Sequence, residues 1–374
     1  MKRRAFLTSS AAVVAAGSLH LASGQAAGER ADQLPGAQSA SSAAGAAAAI
    51  PRVTHAGTRR GDMLYRPLGE TGVEVSVIGL GGSHIGKPSL PEEEAIKLMH
   101  QAIDRGITFM DNSWDYNQGH SEERMGKALA QGGYRQKVFL MTKIDGRTKE
   151  EAEKQINQSL QRLQTDHLDL LQHHEIIRFD DPDRIFNEGG AMEAALEAKK
   201  AGKVRFIGYT GHKDPHIHLY MMEVADRRGF HFDTVQMPIN VMDAHYRSFA
   251  QLVVPQAMKR RIAVLGMKCF GSGVILKSNA VPPLDCLHYS LNVPVAAQIT
   301  GIDKQEVLDQ ALEAVKQFRP MEEAQVAAIL TKSHEAALQG KYELFKTSTH
   351  FDSTIKHPEW LGGETPEVER LGES

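Results

Sequence analysis

Residues Val138–His173 read VFLMTKIDGRTKEEAEKQINQSLQRLQTDHLDLLQH, and the change of hydrophobic period along them decides the fold. Val138–Thr142 is a short apolar run of strand type, Lys149–Leu163 carries a helical pattern, and Leu168–His173 returns to strand. Working outward, the same alternation recurs. Strand-like runs fall at Val75–Gly79, Ile107–Asp111, Val204–Tyr209, Thr234–Gln236, Ala263–Met267 and Val295–Thr300. Helical patterns fall at Glu92–Arg105, Glu122–Gln131, Ala191–Ala201, His216–Arg228, Arg247–Arg260, Leu284–Leu291 and Lys304–Phe318. Eight strands, each followed by a helix, predict an α/β fold of the (β/α)8 TIM-barrel type. A doubly wound open sheet would place a glycine fingerprint in its first strand-to-helix turn. Here that turn is Gly79-Leu80-Gly81-Gly82-Ser83-His84, with His84 where the third glycine belongs, so a tight barrel turn is expected.

The flanks are of other kinds. Met63–Val77 reads as a small N-terminal β-hairpin around Glu70-Thr71-Gly72, and order is expected to begin near Met63. Residues 27–60 are rich in Ala, Ser and Gly, the composition of a flexible tether. Ahead of it, Arg3-Arg4-Ala5-Phe6-Leu7 and the Ala/Val/Leu run to Ala22 have the order of a twin-arginine signal, with small residues for cleavage near Ala26. The run is too short and too rich in small residues for a stable membrane span. The expectation is a signal over 1–26, export by the twin-arginine machinery, and a periplasmic or otherwise exported protein. After the barrel come an added helix, Glu322–Gln339, and a tail containing His350, Phe351 and Trp360, aromatic enough to be expected to pack on the barrel, so that 61–374 forms one body.

The composition, 41% hydrophobic and 24% charged, is that of a soluble globular chain, and a net charge of −3 offers nothing to attract nucleic acid or an anionic bilayer. Cys269 and Cys286 are too few for a disulfide scaffold and read as small core side chains. Nothing in the sequence speaks to oligomeric state.

In a barrel of this kind the working residues lie where strands end, at one mouth. Asp111 and Tyr116 follow the second strand, Lys143 the third and His174 the fourth. A lysine ammonium beside a phenol stabilises the phenolate and lowers the tyrosine pKa, so Tyr116 can give a proton to a carbonyl oxygen. Asp111 would hold Lys143 charged and in place, and a neutral His174 would orient the same oxygen. This is an acid and an oxyanion site without a nucleophile, and it suits hydride transfer from a nicotinamide. Trp114, in the same loop, is read as a wall of the substrate pocket. His216-Ile217-His218, His173-His174-Glu175 and His334-Glu335 lack metal-ligand spacing at strand ends, so no metal is expected. Glu175 and Met267 do not make the acid pair of a sugar hydrolase. The competing class is a non-catalytic barrel that binds a nucleotide or a sugar.

These residues also carry a resemblance. Asp111-x4-Tyr116, Gly119-His120-Ser121-Glu122-Glu123, Thr142-Lys143 and Asp169-Leu170-Leu171-Gln172-His173-His174 resemble the aldo-keto reductases, as do Tyr65-Arg66-x-Leu68-Gly69-x-Thr71-Gly72, Gly202-Lys203-Val204-Arg205-x-Ile207-Gly208 and Val235-Gln236. The resemblance covers roughly 64–318. It implies a (β/α)8 barrel, an NAD(P)(H) cofactor, a small carbonyl or alcohol substrate, and a tetrad of Asp111, Tyr116, Lys143 and His174. The five-residue step from Asp169 selects His174, leaving His173 on the opposite side of the strand end. For the cofactor it implies Thr210 and Gln236 at the carboxamide, Lys268, Gly271 and Gly273 at the pyrophosphate, and Gly301 and Lys304 toward the adenine end. Asp303 stands near that end as a charge opposed to a 2′-phosphate, and NAD against NADP stays open. Free nicotinamide is scarce outside the cytoplasm, so an exported member would bind its cofactor tightly before export. The substrate class suggested is a sugar or sugar derivative.

Overall fold

The computed structural model describes residues 50–363 and Gly45. The expected leader and the greater part of the expected tether lie outside the described residues. Eleven strands are present among those described. Three antiparallel strands, β1 (Thr58–Arg60), β2 (Met63–Pro67) and β3 (Glu74–Ser76), form a small sheet. Eight parallel strands close into a barrel in chain order: β4 (Ile78–Gly81), β5 (Phe109–Asp111), β6 (Phe139–Ile144), β7 (Leu168–His173), β8 (Val204–Thr210), β9 (Thr234–Pro238), β10 (Ala263–Met267) and β11 (Ala297–Gly301). Parallel neighbours need crossover connections, and the helices between them supply these while burying the outer face of the sheet.

Side chains alternate across each strand, so the barrel wall has two cores. Phe109, Phe139, Met141, Leu170, Leu265 and Ile299 fill the interior. Leu171, Ile207, Val235 and Val264 face the helix layer. Leu68 and Val75 join the interior set, so the small sheet forms the barrel floor. Arg66 fastens it there, donating to the carbonyls of Val295 at 2.8 Å and Leu291 at 2.9 Å. With the floor plugged, the chemistry is confined to the other end.

Two boundaries differ from expectation. The first barrel strand starts at Ile78, not Val75, because Val75 and Ser76 pair in register with β2 and the chain changes sheets immediately afterwards. Ser76 stitches the change, its hydroxyl accepting from the amide of Thr108 at 2.9 Å. At the amino end, the described body reaches back into the expected tether. Ile50 is buried, the Val53 amide donates to Asn292 at 2.8 Å, and Arg52 donates to the Met321 carbonyl. Those apolar and basic side chains, absent from the Ala/Ser stretch before them, have barrel groups to meet.

At the carboxyl end the helix Glu323–Ala337 leads into a strap, residues 338–363, drawn over the barrel mouth. The strap is tied by charge. Lys346 is buried and donates to Asp243 at 2.7 Å and to the carbonyl of Tyr246, with Glu343 beside it. Farther on, Asp352 meets His212 at 2.9 Å, and the amides of Ser353 and Thr354 both donate to the Glu175 carboxylate at 2.8 Å. The aromatic tail therefore packs on the barrel. No helix among the described residues is long and apolar enough to cross a membrane.

Candidate active site

A cavity of about 650 Å³ opens at the carboxyl ends of the strands, beneath the strap. Asp111 is the last residue of β5 and Lys143 sits in β6, so their side chains meet inside the upper barrel. Lys143 Nζ donates to Asp111 Oδ1 at 2.8 Å, to the Asn112 carbonyl at 2.6 Å and to Tyr116 Oη at 3.3 Å. It is 1% exposed, and an ammonium so buried requires this ring of oxygens. From the far wall, Gln236 Nε2 donates to Asp111 Oδ2 at 2.9 Å, holding the carboxylate between two strands.

The phenol of Tyr116 behaves differently from expectation. Burial, followed by the charges of Asp111, Asp115, Glu175 and Asp145, pushes its pKa well above the usual 10. The expected lowering by Lys143 is overridden because that ammonium is already paired with Asp111. The phenol is held protonated, which is the form that can donate. His174 stands edge-on to it, ring centroids 5.8 Å apart. Its Nδ1 lies 3.0 Å from Asp145 Oδ1 and 3.2 Å from Ser113 Oγ, which leaves Nε2 to the cavity that the ring lines. Burial lowers its pKa, so the ring is neutral. His173, one residue earlier, is fully buried away from the cavity with both nitrogens unpartnered. The four sequence-predicted groups thus converge, and the choice of His174 agrees with strand geometry.

Three buried atoms at the cavity have no hydrogen-bond partner among the described residues: Thr210 Oγ1, Gln236 Oε1 and Asp115 Oδ1. Buried polar atoms are normally paired, so an acceptor carbonyl and a hydroxyl left open side by side fit a carboxamide. Lys268, Ser272 and Gly273 line the wall farther along, and Gly301, Asp303, Val307 and Gln310 line the opposite end. A Cβ at Gly301 would collide with the His84 ring, which would have to shift to admit it. The residues present fit an extended nicotinamide dinucleotide.

Three expected positions are corrected. Lys304 is exposed and does not line the cavity; its neighbour Asp303 does, paired with Lys87 at 3.0 Å. Gly271 is buried behind the lining, where its positive φ shapes the turn that presents Ser272. Trp114 is no pocket wall. It turns outward, giving its indole N–H to Gln158 at 2.7 Å and packing edge-on against Trp360 of the strap. Sequence reading missed Asp145, Glu175, His212, His350 and Phe351 as members or supports of the site. Glu175 and His212 follow strands and could have been found there; His350 and Phe351 arrive only through the strap. Asp115, Asp145 and His174 bring three donor atoms within 4.8 Å of one another, but the imidazole nitrogen among them is already engaged by a carboxylate and a hydroxyl.

Residues 77–327 match the model of the Aldo/keto reductase family. The chain is 32% identical over 241 residues to the uncharacterised oxidoreductase YrpG of Bacillus subtilis (strain 168), covering 58% of this chain and 71% of that one. It is 36% identical over 155 residues to L-galactose dehydrogenase of Arabidopsis thaliana, 39% of this chain and 48% of the relative. The holo form of an aldo-keto reductase from Bacillus halodurans superposes with a TM-score of 0.61 at 22% identity, over 75% of this chain and 99% of that one.

Proposed function

The chain belongs to the aldo/keto reductase family and is an NAD(P)-dependent oxidoreductase, and from that premise we propose that Tyr116 is the proton donor and acceptor for interconverting a carbonyl and an alcohol. The observation that carries this reading is the single ammonium of Lys143 bonded at once to Asp111 and to the Tyr116 phenol. Nicotinamide, when bound, supplies or accepts the hydride. In reduction Tyr116 gives its proton to the substrate oxygen, and Lys143 steadies the phenolate left behind. In oxidation the phenolate takes the hydroxyl proton back. Asp111 keeps Lys143 charged and aimed, and His174 Nε2 hydrogen-bonds the reacting oxygen.

Thr210 and Gln236 would hold the carboxamide, and Lys268 with the backbone of Gly273 the pyrophosphate. At the far end, a carboxylate at Asp303 and a Lys87 already paired with it oppose a 2′-phosphate, which favours NAD over NADP. Asn117, Glu175, His212 and Ser353 give the cavity polar walls suited to a sugar or sugar derivative. The pattern over 1–26 supports export through the twin-arginine route with the cofactor bound beforehand.

Tyr116→Phe tests the core of this. Turnover of an aldose panel is expected to fall by about 10²–10⁴-fold. NAD+ binding, followed by calorimetry beside NADP+, is expected to hold within about twofold. Undiminished turnover would remove Tyr116 from its role, and tighter binding of NADP+ would reverse the cofactor preference.

A further inference from the structure

Asp145 lies two residues beyond Lys143, fully buried behind the His174 ring and outside the cavity lining. One oxygen, Oδ1, is 3.0 Å from His174 Nδ1, while Oδ2 has no hydrogen-bond partner among the described residues. The charged groups around it are all engaged elsewhere. Arg147 gives its Nε to Asp181 at 2.8 Å and its remaining nitrogens to the carbonyls of Asp145, His174 and Glu175. Lys143 is held by Asp111 and Asn112. Asp115, 3.4 Å from the same Nδ1, and Glu175, tied to the strap, add negative charge. No cation bonds the Asp145 carboxylate among the described residues. Burial, with Glu175 next in weight, pushes its pKa up to about 8, and burial carries Asp115 to about 6.

A neutral imidazole carries one proton, and the partner of one nitrogen decides what the other can do. We propose that Asp145 is a positioning residue that sets the tautomer of His174. Protonated, Asp145 donates to Nδ1, the ring proton sits on Nε2, and His174 gives a hydrogen bond to a carbonyl oxygen. Ionised, Asp145 accepts from Nδ1–H, and the bare Nε2 can no longer donate to the reacting oxygen, whose own proton goes to Tyr116. The two states differ by one proton, exchanged with solvent through the ring nitrogen at the cavity. The carboxylate thereby lets His174 donate to the reacting oxygen at lower pH and withdraws that donor at higher pH, in both directions of the reaction. This rests on the reading of His174 as a substrate contact.

The test is 15N NMR of the histidine-labelled protein between about pH 6 and 10, with the His174 signals assigned by their loss in His174→Gln. The wild-type ring is expected to change between its two neutral tautomers with a midpoint near 8. In Asp145→Asn the side-chain amide does not titrate, so the ring stays in one tautomer throughout. Wild-type kcat/KM is expected to fall by about tenfold or more above the transition in both directions, and that fall is expected to be absent in Asp145→Asn. A wild-type ring in one tautomer across the range, or one that titrates to imidazolium, overturns the proposal, and neither result needs the variant to fold. A fall above the transition of the same size in a folded Asp145→Asn protein also overturns it. Should His174→Gln leave both directions unchanged, the substrate contact itself is refuted, whatever the tautomer does.

Discussion

His173 and His174 are the same side chain one residue apart, and the pleat of β7 gives them opposite surroundings. His174 leaves the strand end toward the cavity and finds Ser113 and Asp145; His173 points into the helix layer and finds no hydrogen-bond partner among the described residues. Burial, with Arg147 nearby, drives the His173 pKa down to about 3 from 6.5. Between those values the unfolded chain binds a proton that the folded chain refuses, so stability rises with pH across the window and is lost as pH falls through it. His173→Leu is expected to stabilise the protein by about 1–3 kcal/mol at neutral pH, since two unpaired buried nitrogens are replaced by apolar surface. It is also expected to flatten the acid side of the stability profile. Urea unfolding at a series of pH values checks both; an unchanged slope below about pH 6 would mean that His173 is not the acid-sensitive group.

The loops after the strands carry the departures from easy backbone geometry. Among ten non-glycine residues with positive φ in the described chain, Asn117, Glu175, Lys268 and Ser272 line the cavity. Strain of this sort persists only where surroundings fix it, and here the fixings are visible: the Asn117 amide donates to the Ser83 carbonyl, and the strap holds Glu175. The strap in turn depends on Lys346, buried between Asp243 and Glu343. Burial, with Asp243 adding to it, raises the Glu343 pKa to about 7 against the pull of Lys346. Lys346→Met leaves Asp243 and Glu343 without their cation. The expected cost is about 3–5 kcal/mol, seen as a lower denaturation midpoint and as faster amide exchange at Ser353 and Thr354. Slow exchange at those two amides in the variant would show that the strap is held by something other than this cluster.

Over the whole molecule, floor and mouth divide the labour. Leu68 and Val75 seal the bottom with the barrel core, and every titratable group assigned a role in the reaction stands at the top. The proposed twin-arginine leader belongs to this scale, because that route carries folded proteins. With Arg3 and Arg4 both changed to Lys, the chain is expected to remain in the cytoplasm. Wild type recovered from the periplasm is expected to yield about one nicotinamide per chain on denaturation, read by absorbance. Export of the Lys variant, or wild type recovered without cofactor, would sink the respective half of that proposal. The sequence by itself determined the order of strands and helices, the floor hairpin, and the group of Asp111, Tyr116, Lys143 and His174. Hydrophobic period and residues at strand ends are local signals, and parallel crossovers leave few ways to assemble them. Tertiary structure alone decided that Trp114 faces the strap, that Asp303 rather than Lys304 lines the cavity, and that Asp145 backs His174. It also decided that the Tyr116 phenol is pushed toward its protonated form. Those outcomes depend on burial and on charges brought together from distant segments, and neither quantity has a value until the barrel closes and the strap lies across its mouth.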